Sequence, residues 1–126
     1  MLLSICIPTF NRASSLDNCL NSILISSHDL NFNFEICVSD NFSECDNESI
    51  INIYKKKLNI NYNKNSKNLG HGKNLLKAVS MAKGDYVWTL GDDDLLLPHT
   101  LKKLYEIRNQ CFYLTHLIFQ NLLYHI

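Results

Sequence analysis

The chain has 126 residues, 12 Lys+Arg against 12 Asp+Glu, and is 46% hydrophobic and 19% charged. That is the length of one domain, able to bury about two-thirds of its unfolded surface without a disulfide or metal staple, and too apolar for a disordered chain. The net charge of +0 supplies no global positive field, which argues against nucleic acid or an anionic membrane as partners recruited by charge.

Leu2 to Pro8 (LLSICIP) is a short apolar run stopped by proline, and it reads as a buried strand. A polar loop, Thr9-Phe10-Asn11-Arg12, follows. Ser14 or Ser15 can cap a helix that places Leu16, Cys19, Leu20, Ile23 and Leu24 on one face, with Asp17 in its first turn. After a polar break at Ser26 to Asn31, Phe32 to Ser39 reads as a second strand, ending in Asp40-Asn41. Asp46, Asn47 and Glu48 start a helix carrying Ile50, Ile51 and Tyr54. Leu58 to Tyr62 alternates apolar residues with Asn, as in a short strand, and Asn63 to Asn68 is a polar loop.

Gly72 to Lys83 carries Leu75, Leu76, Val79 and Ala82 at helical spacing, with Gly84 as the stop. Tyr86 to Leu90 is the next strand and runs into Gly91-Asp92-Asp93-Asp94. Pro98 opens a final helix with Leu101, Leu104, Tyr105 and Ile107. The order β-α-β-α-β-α-β-α predicts an α/β sandwich with a mainly parallel sheet over residues 1–110, followed by an apolar tail at 111–126. Asparagine is abundant throughout and reads as compositional bias.

Cys6, Cys19, Cys37, Cys45 and Cys111 are odd in number and form no CxxC pair. This argues against a disulfide framework or a zinc ribbon and points to a reducing, cytoplasmic setting. Cys6 and Cys37 are expected to behave as small buried hydrophobes. No basic n-region opens the chain, so no signal peptide is expected. Cys111 to Ile126 is too short and too polar for a membrane span.

In open α/β sheets, ligands bind beyond the carboxyl ends of the strands. Three polar groups stand there: Pro8-Thr9-Phe10-Asn11-Arg12, Asp40-Asn41, and Asp92-Asp93-Asp94. Adjacent carboxylates repel one another, and a hard divalent cation such as Mn²⁺ or Mg²⁺ removes that penalty. Such a cation usually takes one or two protein carboxylates together with phosphate oxygens. On an extended segment, Asp92 and Asp94 would point one way and Asp93 the other. The plain alternative is a solvated acidic turn.

Asp40 suits a ribose hydroxyl or a base N–H, or else a local turn. Arg12 has donors for phosphate. Around His71 and Lys73 the P-loop pattern fails at two positions, and no GxGxxG follows the first strand. Among the histidines, His71 lies between two glycines; phosphate contact and a plain loop position both remain open.

SICIPTFNR, EICVSDN-S, NLGHGKNLLKAV and AKGDYVWTLGDDDLLLP, in this order, resemble the amino-terminal half of family 2 glycosyltransferases, which have the Rossmann-like GT-A fold. The resemblance implies a nucleotide-sugar pocket formed by Pro8, Thr9, Asn11 and Arg12, by Asp40, by Asn68, Gly70, Lys73 and Asn74, and by Asp92 and Asp93. Asp92 and Asp94 are the implied metal ligands. It further implies a nucleotide-diphospho-sugar donor, a glycan or lipid-linked acceptor, and transfer with inversion in surface glycan or polysaccharide synthesis, in the cytoplasm or at the membrane periphery.

One departure is Gly91, where many members carry aspartate. The family's general base lies well beyond the acidic motif, whereas this chain continues only 32 residues past Asp94, and Glu106 is its last acid. No general base is therefore expected here, and the domain reads as shortened. A non-catalytic nucleotide-sugar-binding half is the alternative, self-associating or joining a partner chain through its apolar tail. A metal-dependent phosphotransfer enzyme would share the acidic cluster but lacks an evident nucleophile.

Overall fold

The computed structural model describes residues 2–110; the expected tail at 111–126 lies outside them. The elements are β1 (Leu2–Thr9), α1 (Ala13–Ser26), β2 (Asn33–Asp40), α2 (Asn47–Tyr54), β3 (Ile60–Lys64), α3 (His71–Ser80) and β4 (Tyr86–Thr89), followed by helix α4 at residues 100–110. The predicted alternation is observed. The four strands are parallel and ordered β3-β2-β1-β4.

The strand register explains the layers. Ile5 pairs with Ile36 and Ile7 with Val38, and these side chains pack with Leu16, Leu20 and Ile23 of α1 and Ile51 of α2. The opposite face carries smaller or polar pairs in the same register, Ser4 with Glu35, Cys6 with Cys37 and Pro8 with Ser39. Cys6 and Cys37 are buried with Ala78 of α3, as expected of inert thiols, and burial pushes the Cys37 thiol up to about 12. Among the described residues, no helix is long and apolar enough to cross a membrane.

Several predicted boundaries shift, each for a visible reason. Neither Ser14 nor Ser15 caps α1: the helix begins at Ala13 with Arg12 as its N-cap and no side-chain cap. Asp17 lies beyond the first turn and accepts the Tyr54 hydroxyl at 2.7 Å, tying α1 to α2. At α2, Asp46 caps the helix by accepting from the Ser49 N–H, as its sequence position predicts. Leu58 donates its N–H to the Tyr54 carbonyl, which keeps it in the turn after α2 and delays β3 to Ile60. Pro98 precedes α4 by two residues and is not its first residue.

α3 stops at Ser80, short of the predicted Lys83, because backbone donors beyond it have other acceptors. Lys83 N–H donates to the buried Glu35 carboxylate at 2.6 Å, and Gly84 N–H donates to Ser4 Oγ at 2.9 Å. Ser4 Oγ in turn donates to Glu35 at 2.6 Å. This latch brings the chain so close to β1 that a Cβ at Gly84 would lie 2.7 Å from the Leu2 carbonyl oxygen and 2.9 Å from the Ser4 nitrogen. Backbone atoms cannot step aside as a side chain can. Gly84→Ala is expected to cost about 2 kcal/mol, in the range for overpacking. The check is a lower urea midpoint at unchanged m-value; an unaltered midpoint would show that the contact relaxes freely.

Candidate functional site

The sheet order places the switch point between β1 and β4, where successive crossovers leave in opposite directions. A cleft of about 510 Å³ opens there, within the usual size of small-ligand sites. Its walls come from the exit of β1 (Pro8, Thr9, Phe10, Arg12), the exit of β2 (Asn41), the segment entering α3 (Asn68, Gly70, His71, Asn74) and the turn after β4 (Gly91, Asp92, Asp93). The three polar groups expected at one sheet edge therefore converge.

Of the two geometries open from sequence, the acidic segment takes the turn and not the extended stretch. Asp94 N–H donates to the Gly91 carbonyl at 3.2 Å, and the Asp94 carboxylate accepts from the Gly91 N–H at 3.1 Å. Asp92 and Asp93 then converge, whereas strict alternation would have paired Asp92 with Asp94. Thr9 Oγ1 donates to Asp92 Oδ2 at 2.8 Å. Arg12 Nη1 reaches Asp92 Oδ1 at 3.3 Å and Asp93 Oδ2 at 2.9 Å. Asp92 is largely buried and Asp93 exposed.

Gly91 has a local reason. A Cβ there would meet Asp94 Oδ2 at 2.8 Å and Asp93 Oδ1 at 3.0 Å, so the glycine lets the carboxylates fold around the backbone. One face of α1 holds the whole segment down. Cys19 Sγ donates to the Gly91 carbonyl at 3.6 Å, Ser22 Oγ accepts from Leu96 N–H at 3.0 Å, and Ser26 Oγ accepts from Leu101 N–H at 3.1 Å. Burial, with Asp92, Asp94 and Asp93 nearby, pushes the Cys19 thiol up to about 12, so it stays a neutral donor.

Asp40 stands behind the cleft. It is fully buried and accepts from Ser43 N–H at 2.8 Å, Asn47 Nδ2 at 3.0 Å and the Tyr62 hydroxyl at 2.8 Å. Burial alone would raise its carboxyl, but these hydrogen bonds outweigh burial and hold it below the ordinary value. The same contact works the other way on Tyr62, whose hydroxyl is pushed up by burial and by Asp40. Asn41, one residue on, lines the cleft instead.

The asparagines, read from sequence as compositional bias, form a connected network. Asn74 Nδ2 donates to the Ser39 carbonyl at 3.0 Å and the Thr9 carbonyl at 3.3 Å. Its Oδ1 accepts from Ser39 Oγ at 2.8 Å and Asn65 Nδ2 at 2.9 Å. Asn41 Nδ2 donates to Asn68 Oδ1 at 2.8 Å, and Asn41 Oδ1 accepts from Leu69 N–H at 2.7 Å. Asn68 Oδ1 also accepts from Gly70 N–H at 2.8 Å, which helps Gly70 hold φ +81 at the N-cap of α3.

Of the sequence-predicted site residues, the structure brings Pro8, Thr9, Arg12, Asn68, Gly70, Asn74, Asp92 and Asp93 to the cleft wall. Asp40 lies buried behind it, Asn11 is exposed outside the lining, Lys73 is exposed on α3, and Asp94 closes its own turn. Asn11 links two loops, donating its N–H to Ser43 Oγ and accepting from Glu44 N–H. Phe10, Asn41 and His71 complete the wall, and Asn65 and Tyr62 support it. Asn41, expected with Asp40 at the end of the second strand, takes the lining place of that pair. Asn65 carries no signal of its role within its polar loop.

Among the described residues, no group of three or more His, Cys, Asp or Glu could hold a metal by itself. Asp92 and Asp93 still supply hard oxygen donors at the cleft mouth. That donor set fits a cation completed by phosphate oxygens and water.

The chain matches the model of glycosyl transferase family 2 over residues 4–110. It is 45% identical over 103 residues to abequosyltransferase RfbV of Salmonella typhimurium, covering 80% of this chain and 31% of that protein. It is 36% identical over 111 residues to a Campylobacter jejuni GalNAc(5)-diNAcBac-PP-undecaprenol beta-1,3-glucosyltransferase, covering 86% and 35%. Its fold superposes on Staphylococcus aureus TarS 1–349 in complex with UDP-GlcNAc with a TM-score of 0.78 at 28% identity, over 87% of this chain and 32% of that one. The chain thus spans about a third of the length of the relatives it matches.

Proposed function

The chain belongs to glycosyl transferase family 2 and has its GT-A α/β fold, and from that premise we propose that its cleft binds a nucleotide-diphospho-sugar for transfer to an acceptor hydroxyl in glycan synthesis. One observation carries this reading: the exits of β1, β2 and β4 and the start of α3 meet around a single cleft at the switch point. The TarS complex with UDP-GlcNAc, a structure of the same fold, supports the donor class.

The residues divide the work. Thr9, Phe10 and Asn41 line the part of the cleft bounded by β1 and β2, where a flat base and its ribose would sit. Asp40 supports that wall from behind by fixing Ser43 and Tyr62. α3 begins at the cleft, so the positive end of its dipole favours an anion there. Asp92 and Asp93 would hold Mn²⁺ or Mg²⁺ with the donor's diphosphate, Thr9 keeping Asp92 oriented. Asp94 acts first as the staple of that turn. When bound, such an ion supplies Lewis-acid stabilisation of charge on the leaving diphosphate.

In the reaction, the acceptor oxygen bonds to the anomeric carbon from the face opposite the leaving group, and the sugar–phosphate bond breaks with inversion. The diphosphate leaves with the electron pair. The hydroxyl proton goes to a general base that we assign to none of the described residues.

Calorimetric titration of UDP, CDP and GDP with Mn²⁺ tests the reading. One nucleoside diphosphate is expected to bind. Asp92→Ala is expected to weaken that binding about tenfold to a hundredfold, the size of a lost charge-assisted contact. Failure of every nucleotide to bind the wild-type chain would sink the proposal. Binding without sugar transfer would favour a donor-binding half over a complete catalyst.

A further inference from the structure

We infer that Arg12 is a built-in counter-ion of the acidic turn, which a divalent cation must displace and which then turns to the donor's diphosphate. This rests on the donor-binding reading above. The guanidinium lies where a cation would lie: one nitrogen, Nη1, reaches Asp92 Oδ1 at 3.3 Å and Asp93 Oδ2 at 2.9 Å. Those are the converging oxygens of the two carboxylates that face the cleft. The remaining Asp92 oxygen is taken by the Thr9 hydroxyl, so a cation shared by both aspartates competes directly with Arg12.

Two features make displacement feasible. The Arg12 side chain is 53% exposed and Asp93 62% exposed, so the shorter arm of the bridge is solvated and weak, and the arm to the largely buried Asp92 is the longer one, at 3.3 Å. Arg12 also occupies the N-cap of α1 without making a side-chain cap bond, so no helix contact is lost when it swings away. Arg12 is itself one of the residues that line the cleft, so the freed guanidinium stays within reach of the site. A planar group with five N–H donors is well matched to phosphate oxygens.

The arrangement gives order to binding. Without nucleotide, the arginine neutralises the turn and depresses affinity for the free ion. With nucleotide, the diphosphate attracts both the ion and the arginine, and the two cations no longer compete for the same oxygens. Ion and nucleotide therefore bind cooperatively, with coupling that runs equally in both directions.

The experiment measures free Mn²⁺ by its electron paramagnetic resonance signal, with wild type, Arg12→Ala and Arg12→Gln, first without nucleotide and then with saturating nucleoside diphosphate. Without nucleotide, both variants are expected to bind Mn²⁺ roughly three- to tenfold more tightly than wild type, the scale of one removed exposed ion pair. With nucleotide the advantage should vanish or reverse, and nucleotide affinity should fall by a similar factor in both variants. Circular dichroism establishes that each variant is folded, and Arg12→Gln serves if Arg12→Ala is not. Variants that bind Mn²⁺ no better than wild type, or no Mn²⁺ binding by any of the three at millimolar ion, overturn the inference while leaving nucleotide binding intact. A wild-type chain that binds no nucleotide at all instead overturns the reading on which it rests.

Discussion

Asn74→Asp is expected to destabilise the protein by about 3–5 kcal/mol, the cost of a buried charge facing the wrong partners. The side chain is buried between β1, β2 and the loop before α3. Its Nδ2 donates to two carbonyl oxygens, those of Ser39 and Thr9, while Oδ1 accepts from Ser39 Oγ and Asn65 Nδ2. Aspartate keeps the accepting oxygen and replaces the donor with a second oxygen aimed at those carbonyls. Asn74→Ala removes the same bonds without adding a charge and is expected to cost less, about 2–3 kcal/mol.

The order of the two variants carries the argument, since simple loss of packing would make alanine the worse change. Urea denaturation at neutral pH reads both midpoints, and Asn74→Asp proving the milder variant would contradict the assigned network. Because Asn74 also ties the ends of β1 and β2 to α3, both variants should lose nucleotide affinity at temperatures where they remain folded.

The architecture was legible because its signals were local and periodic. Apolar runs around Ile5, Ile36 and Trp88, separated by helical spacing in α1 and α3, are enough to predict parallel alternation, and strand ends in such a sheet converge by topology. The sequence leaves the segment after β4 open between an extended stretch and a turn, because residue spacing alone does not show which carboxylates converge. Gly91 leaves room for the Asp93 and Asp94 carboxylates, and Asp94 closes the turn by accepting from the Gly91 N–H. That turn brings Asp92 and Asp93 to Arg12.

The asparagine network was illegible for another reason. Asn41, Asn65, Asn68 and Asn74 lie in separate segments, and nothing in their spacing shows that they meet. Helix ends were displaced wherever a long-range acceptor took a backbone donor, as Glu35 does with Lys83. Such contacts depend on the folded whole and leave no periodic trace.

Asp40→Ala is expected to cost about 3–5 kcal/mol, as when several hydrogen bonds to a buried carboxylate are lost and their donors are left unsatisfied. It would leave the Ser43 N–H, the Asn47 amide and the Tyr62 hydroxyl without the carboxylate that now accepts from all three. Asp40→Asn keeps one accepting oxygen but turns an N–H₂ toward a donor, and should fall between alanine and wild type.

The effect has a defined pH dependence. Burial opposes ionisation, yet the hydrogen bonds prevail and the folded carboxyl ionises more readily than an ordinary aspartate. The contribution is therefore complete above about pH 5, where the unfolded carboxyl is also almost fully ionised. It declines as pH falls toward the depressed folded value and is lost once the folded carboxyl takes up its proton. The stability gap between wild type and Asp40→Asn should accordingly stay flat from neutral pH to about pH 5 and close on further acidification. Urea titrations across that range measure it, and a gap that widens in acid would mean that Asp40 is protonated in the folded protein. Ser43 also accepts the N–H of Asn11, so losing Asp40 loosens the joined loops after β1 and β2, and donor affinity should fall alongside stability.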